Sequence, residues 1–372
     1  GYRPRHRIGD MQTPIKTLFM RGGTSRGPFF READLPTDLA TRDRVLLAVM
    51  GSPDKRQIDG LGGAHPLTSK VGIVRPGSAE GVDLDFLFAQ LQPDRDTVDT
   101  TPNCGNMLAA VVPFALETGM VAAQGETTTL RVLTLNTGMQ CDITVETPGG
   151  RVNYDGDAKI DGAPGSSAPI TINFLDTAGS VCSGLLPTGR VRDVIDGIEV
   201  TCIDNGMPLV ILRASDVDRS AYESVADLNA DEALKARLER LRLACGHAMG
   251  LGDVSAKNYP KMTLIAPPQA GGSIATRSFI PHVCHDAIGV LAAVTVATAC
   301  VLEGSVTQGI AFVPEGESKK ISVEHPTGEF SVELELDPEN PQCVRRAALL
   351  RTARLIMRGE VMVPESTWPG KD

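Results

Sequence analysis

The sequence predicts an α+β protein of two similar halves, each a curved antiparallel sheet wrapped around one buried helix, with a cleft between them. Three observations carry that expectation. Most of the chain falls into short β-rich runs bounded by turn residues, two helical stretches are apolar on every side, and those two stretches resemble each other half a chain length apart.

In chain order, strands are expected at residues 16–21, 71–74, 82–90, 128–135, 140–146, 170–174, 198–203, 208–212, 261–266, 309–313 and 328–336, bounded by Gly, Pro, Asn or Asp. Ser331-Val332-Glu333-Leu334-Glu335-Leu336 alternates as a half-buried strand does. The run 231–245 reads as an amphipathic helix, with Leu234, Leu238, Leu241 and Cys245 on one face and charges on the other. Residues 107–116 and 290–302 have no polar face, so protein must surround them. Leu108-Ala109-Ala110-Val111 recurs 183 residues later as Leu291-Ala292-Ala293-Val294, and both runs end on an acidic residue and glycine. The junction is expected where Pro187, Gly189 and Gly197 cluster, giving domains at 11–190 and 191–355 and a last segment, 356–372, that returns to the first.

Composition narrows the function. With 372 residues, a net charge of −10 and a single Trp, the chain lacks the basic stripe and stacking aromatics of a nucleic-acid surface. The longest apolar run contains Thr295 and Thr298 and is too short to span a membrane. Arg3, Arg5 and Arg7 are followed by no apolar stretch, so no secretory signal is read, the residues before Met11 are taken as an extension, and a cytoplasmic location is expected. Eight cysteines without a C-x-x-C pair read as reduced thiols.

Four segments could carry chemistry. In Pro102-Asn103-Cys104-Gly105-Asn106, a cysteine opens the first buried helix, where unpaired backbone N–H groups favour a thiolate; the alternative is a small buried residue in a tight turn. Asp59-Gly60-Leu61-Gly62-Gly63 and Thr68-Ser69-Lys70 place a lysine at the start of an apolar strand, where a side chain held in apolar surroundings gives up its proton more readily. Met20-Arg21-Gly22-Gly23-Thr24-Ser25-Arg26-Gly27 suits a carboxylate by its N–H donors, hydroxyls and arginines, and lacks the ending of a P-loop; Glu324-His325-Pro326-Thr327-Gly328 could serve likewise in the second half. In the stretch 277–286, His282, Cys284 and His285 have no fourth ligand at suitable spacing, so no metal is expected, and a positioning role falls to Arg277, Ser278 or His285. The repeat places Ala287 opposite Cys104, so a second helix-opening cysteine is missing.

These motifs, with Gln57-Ile58-Asp59, Asp204-Asn205-Gly206-Met207-Pro208 and Asn258-Tyr259-Pro260-Lys261-Met262, resemble the PrpF-type isomerases from Met11 to Pro364, and among them the members acting on 4-oxalomesaconate. The resemblance implies the diaminopimelate-epimerase fold with the active site in the cleft, a homodimer, and no metal or redox cofactor. It implies Cys104 and Lys70 as the acid–base pair of a 1,3-allylic proton shift that moves a carbon–carbon double bond in an unsaturated keto-tricarboxylate of protocatechuate and gallate breakdown. Substrate contacts are then expected from Gly22, Gly23, Thr24, Ser25, Arg26, Ser69, Asn103, Gly105, Asn106, Arg277, Ser278, His285, Thr327 and Gly328. Competing readings are an aconitate or methylaconitate isomerase of the same family, a racemase pairing Cys104 with Cys284 or Cys300, a thiol hydrolase using Cys104 with His285 or His325, and a non-catalytic carboxylate-binding module.

Overall fold

The order in which strands pair is the same in both halves of the chain. The computed structural model describes residues 11–371, so the expected N-terminal extension lies outside the described residues. The first half holds β1 (Gln12–Gly22), β2 (Ser25–Arg31), β3 (Lys70–Pro76), β4 (Leu84–Leu91), β5 (Val98–Asp99), β6 (Thr127–Thr134), β7 (Gln140–Glu146) and β8 (Ile170–Leu175). Leaving aside the short β5, which pairs with β4, its successive steps run antiparallel, parallel, antiparallel, parallel, antiparallel, antiparallel.

The second half holds β9 (Asp193–Ile195), β10 (Ile198–Asp204), β11 (Pro208–Arg213), β12 (Lys261–Ala266), β13 (Ile274–Phe279), β14 (Ser318–His325), β15 (Gly328–Asp337) and β16 (Asn340–Arg351). From β10 to β16 the same series of steps repeats. β8 and β16 pair antiparallel where the halves join, and β17 (Ala353–Pro364) lies along β1 as β9 lies along β10. The sheet is therefore mixed, with two parallel steps in each half, where an antiparallel one was expected. β3 and β12 occupy the same place in the two repeats, and each begins with a lysine.

Among the described residues six α-helices accompany the strands: α1 (Leu39–Met50), α2 (Gly105–Leu108), α3 (Val111–Glu117), α4 (Val225–Asn229), α5 (Glu232–Ala248) and α6 (Val290–Val301). The first buried helix was expected as one run and is two. Pro113 has no N–H to give the Ala109 carbonyl and its ring crowds that carbonyl, so the chain breaks at Ala109 and Ala110. α6 contains no proline and stays continuous, and its buried Thr295 and Thr298 hydroxyls are satisfied by the carbonyls of Leu291 and Val294. One apolar core holds α2, α3 and α6 together with strands of both halves. α1, not foreseen, starts on an Asp38 cap, ends on the left-handed Gly51 and buries Val45, Leu46, Val49 and Met50 in a separate core beside Trp368.

The strand expected at 309–313 is a turn. Its backbone folds back locally, the Ile310 and Ala311 N–H groups both donating to the Thr307 carbonyl, and Phe312 is exposed. No helix among the described residues is long and apolar enough to cross a membrane.

Candidate active site

The starts of α2 and α6 meet at the bottom of a cleft between the two repeats. They approach so closely that a Cβ on Gly105 would lie 2.6 Å from Val290 Cβ, which only glycine avoids. The first helical N–H groups to bond backwards are those of Leu108 and Ala293, to the carbonyls of Cys104 and Gly289, so the N–H groups ahead of them have no partner within their helices. Cys104 and Gly289 are the respective N-caps, and neither gives a side-chain cap. The position matching Cys104 is thus Gly289 rather than the Ala287 expected, and either way it carries no thiol.

Lys70 opens β3 and reaches across to Cys104. Its Nζ donates to Cys104 Sγ at 3.3 Å and to Ser25 Oγ at 3.1 Å, and it lies 5.5 Å from the centre of the Phe88 ring. Both members of the pair are buried, at 8% exposure each, so the contact is shielded from bulk water while remaining on the cleft wall. The lysine is aimed by the loop before it. Gln57, 1% exposed, donates to Ser69 Oγ at 3.0 Å and accepts from the Ala64 N–H at 2.7 Å, while Ser69 donates to the His65 carbonyl at 2.7 Å.

The remaining expected contacts divide. Asn103, Gly105, Asn106 and His285 line the cleft with Lys70 and Cys104. Asn103 also ties the repeats together, donating to Thr137 Oγ1 at 2.7 Å and towards the Gly206 carbonyl at 3.5 Å. Gly22, Gly23 and Thr24 form the turn behind Asn106, whose Oδ1 accepts from the Thr24 N–H at 3.3 Å. Ser25 touches Lys70, whereas Ser69 faces the Gln57 loop. Arg26 stacks over Phe19 beside Gly63, off the cleft wall.

Arg277, Ser278, Thr327 and Gly328 are held by partners outside the lining of this cleft. On β13 adjacent side chains point to opposite faces. Arg277 goes outward to the Glu223 and Thr276 carbonyls, and Ser278 turns in to Thr263, leaving its carbonyl to accept the His285 N–H at 2.7 Å. Thr327 bonds the Asp286 carbonyl, and Gly328 is pressed against Asp161, which also takes the Glu329 N–H. They fasten the surrounding loops and do not line the cleft.

His285 Nδ1 accepts the Ala287 N–H at 2.8 Å, which assigns the proton to Nε2. Burial, then the nearby Lys70, lowers its pKa to about 3, so the ring is a neutral donor. Its one free lone pair, on Nδ1, is already taken by the Ala287 N–H, which counts against it as the base of a thiol hydrolase, and His325 lies off the cleft wall, its Nδ1 taken by the Thr327 N–H. A two-thiol racemase fits no better. Cys284 and Cys300 lie outside the cleft, each pushed up to about 12, chiefly by burial. The three candidate metal ligands are also dispersed, since His282 turns to Glu239 and Cys284 towards a backbone carbonyl.

The cleft contains residues that the expected set missed: Phe88, Met207, Asn258 and Lys261. Lys261 was visible in the Asn258-Tyr259-Pro260-Lys261-Met262 motif, but its place opposite Lys70 emerges only from the repeated strand order. Burial first, then Lys70, lowers it to about 7, with Asp99 and Cys104 opposing. Two lysines, open helix N–H groups and a neutral imidazole donor together can receive a compact polyanion.

The family model described as PrpF protein matches residues 12–364. The 4-oxalomesaconate tautomerase of Pseudomonas putida (strain KT2440) is 53% identical over 97% of this chain and 99% of its own. The (4E)-oxalomesaconate Delta-isomerase of Novosphingobium sp. (strain KA1) is 55% identical over 93% of this chain and 96% of its own. Among solved structures, a methylitaconate-delta-isomerase superposes with a TM-score of 0.79 at 33% identity, covering 96% of this chain and 97% of its own. The fold is the diaminopimelate-epimerase-like one that was expected.

Proposed function

The chain belongs to the PrpF family, and from that membership we propose its reaction: it is an isomerase that moves the carbon–carbon double bond of 4-oxalomesaconate by a 1,3-allylic proton shift, with Cys104 and Lys70 as the acid–base pair. The observation that carries this reading is the 3.3 Å contact between Lys70 Nζ and Cys104 Sγ. The two termini of an allyl unit are about 2.5 Å apart, so two groups at that separation can serve both termini from one face.

The Cys104 thiolate takes the proton from the carbon flanked by carboxylate and conjugated to the keto group. The resulting dienolate spreads its charge onto the keto oxygen, where the N–H groups of Gly105 and Asn106 and the His285 Nε2–H can receive it. Lys70 gives its proton to the other terminus, leaving a thiol and an amine in contact, and passage of the thiol proton to the amine restores the pair. The reverse direction exchanges the two roles. Gly22, Gly23, Thr24 and Asn103 support this set by fixing Asn106 and the approach of the two repeats.

The same reading places the enzyme in the cytoplasm as a homodimer. Supporting it are cysteines that are all free and the edge strand β17, which exposes Ile356, Met357 and Met362. Turnover of 4-oxalomesaconate beside a methylaconitate tests the substrate: the first is expected to react with the higher kcat/KM, and the reverse order would assign the chain to the aconitate-type reaction.

A further inference from the structure

Lys70 and Lys261 each open the strand that occupies the same step of its repeat, and both side chains line one cleft. Their neighbours differ. Lys70 has Cys104 and Ser25, whereas the N-cap of the second helix is Gly289, so Lys261 has no matching thiol and makes no side-chain hydrogen bond among the described residues.

The charged and titratable groups facing Lys261 are Lys70 on β3, Cys104 at the start of α2, Asp99 on β5, Arg242 on α5 and His285 ahead of α6. Most are already engaged. Arg242 bonds Glu239 and the carbonyls of Val254 and Tyr259, Asp99 takes the Thr101 N–H and the Asn258 amide, and His285 is neutral. The three donors of the Lys261 ammonium are therefore unspent, in a cleft whose proposed substrate carries three carboxylates.

We propose that Lys261 is a substrate-binding residue whose ammonium receives a carboxylate on the second repeat's side of the cleft, while Lys70 and Cys104 act on the carbon chain from the first. The inference rests on the keto-tricarboxylate reading above. It gives the repeated lysine two uses: beside a thiol it transfers a proton, and opposite a glycine it anchors an anion. Because burial and Lys70 bring Lys261 to about 7, the free enzyme loses this anchor as pH rises through neutrality, and a bound carboxylate holds the proton on.

The test is calorimetric binding of tricarballylate, a saturated tricarboxylate that cannot isomerise, at pH 6 and pH 8.5. Wild type is expected to bind more weakly at the higher pH. Lys261→Met and Lys261→Gln are expected to lose about ten- to a hundredfold in affinity at pH 6. Lys261→Arg, charged at both values, is expected to retain binding with a flatter pH response. Equal affinity in wild type and Lys261→Met, or no binding by wild type at either pH, overturns the proposal. Turnover of 4-oxalomesaconate by the same wild-type sample keeps the two claims apart: its absence contradicts the reaction, and the binding series still decides the role of Lys261.

Discussion

Gly105 and Val290 bring the starts of α2 and α6 into contact, because the space a Cβ on Gly105 would fill is already held by the Val290 side chain at 2.6 Å. Both helices are buried on all sides, so neither can yield freely. Gly105→Ala is expected to cost about 1–3 kcal/mol of stability by overpacking. It is also expected to lower kcat/KM at a temperature where the variant is fully folded, because it pushes the start of α2, with Cys104, away from α6 and the second repeat's side of the cleft. Urea melts and steady-state rates check this, and an alanine variant with wild-type activity would contradict it.

Gln57 acts on the site from behind. Its amide spans Ser69, Ala64 and Ser52, fixing the loop that delivers Lys70 to Cys104. Gln57→Ala removes these buried bonds and leaves the Ala64 N–H without its acceptor, at a cost of roughly 2–3 kcal/mol. A drop in kcat with KM nearly unchanged is the expected kinetic result. A loss confined to KM would show that the loop serves substrate binding instead.

Two buried histidines set a pH dependence of stability. His285 and His325 are held down to about 3 and about 4, chiefly by burial, against 6.5 as the ordinary value. As pH falls below 6.5 the unfolded chain gains protons that the folded one refuses. Their stabilising contribution is therefore complete above 6.5 and is lost progressively towards pH 3 to 4, at up to about 1.4 kcal/mol per pH unit for each. Unfolding free energies at pH 7.5, 6 and 5 are expected to fall along this series, and His285→Gln to reduce the slope. A slope unaffected by that substitution would contradict the assignment.

What could be read from the sequence was what is local. Cys104 stood out because Pro102, Asn103 and Gly105 frame a helix start, and Lys70 because a glycine loop precedes an apolar strand; the structure sets the two in contact. Lys261 escaped because the repeat lies in the order of strand pairing, whereas side-chain identity persists only around Leu108 and Leu291. Thr327 and Gly328 have the composition of an anion-binding turn, yet Asp161, far away in sequence, occupies that space. Arg277 shows the same limit, since which face of β13 it takes depends on packing against Glu223. β16 was hidden because its first half is almost wholly exposed, and β17 because Ile356, Met357 and Met362 stand exposed among Arg354, Arg358 and Glu360, so neither shows a clean alternation.

The central claim is that Cys104 and Lys70 each handle a different carbon of the same substrate. It is tested most directly by proton NMR of 4-oxalomesaconate in heavy water with wild type, Cys104→Ser and Lys70→Met. Wild type is expected to convert the substrate and introduce deuterium at both allylic carbons, and each variant to lose exchange at one carbon, a different one in each case. Full exchange at both carbons in either variant would contradict the assignment.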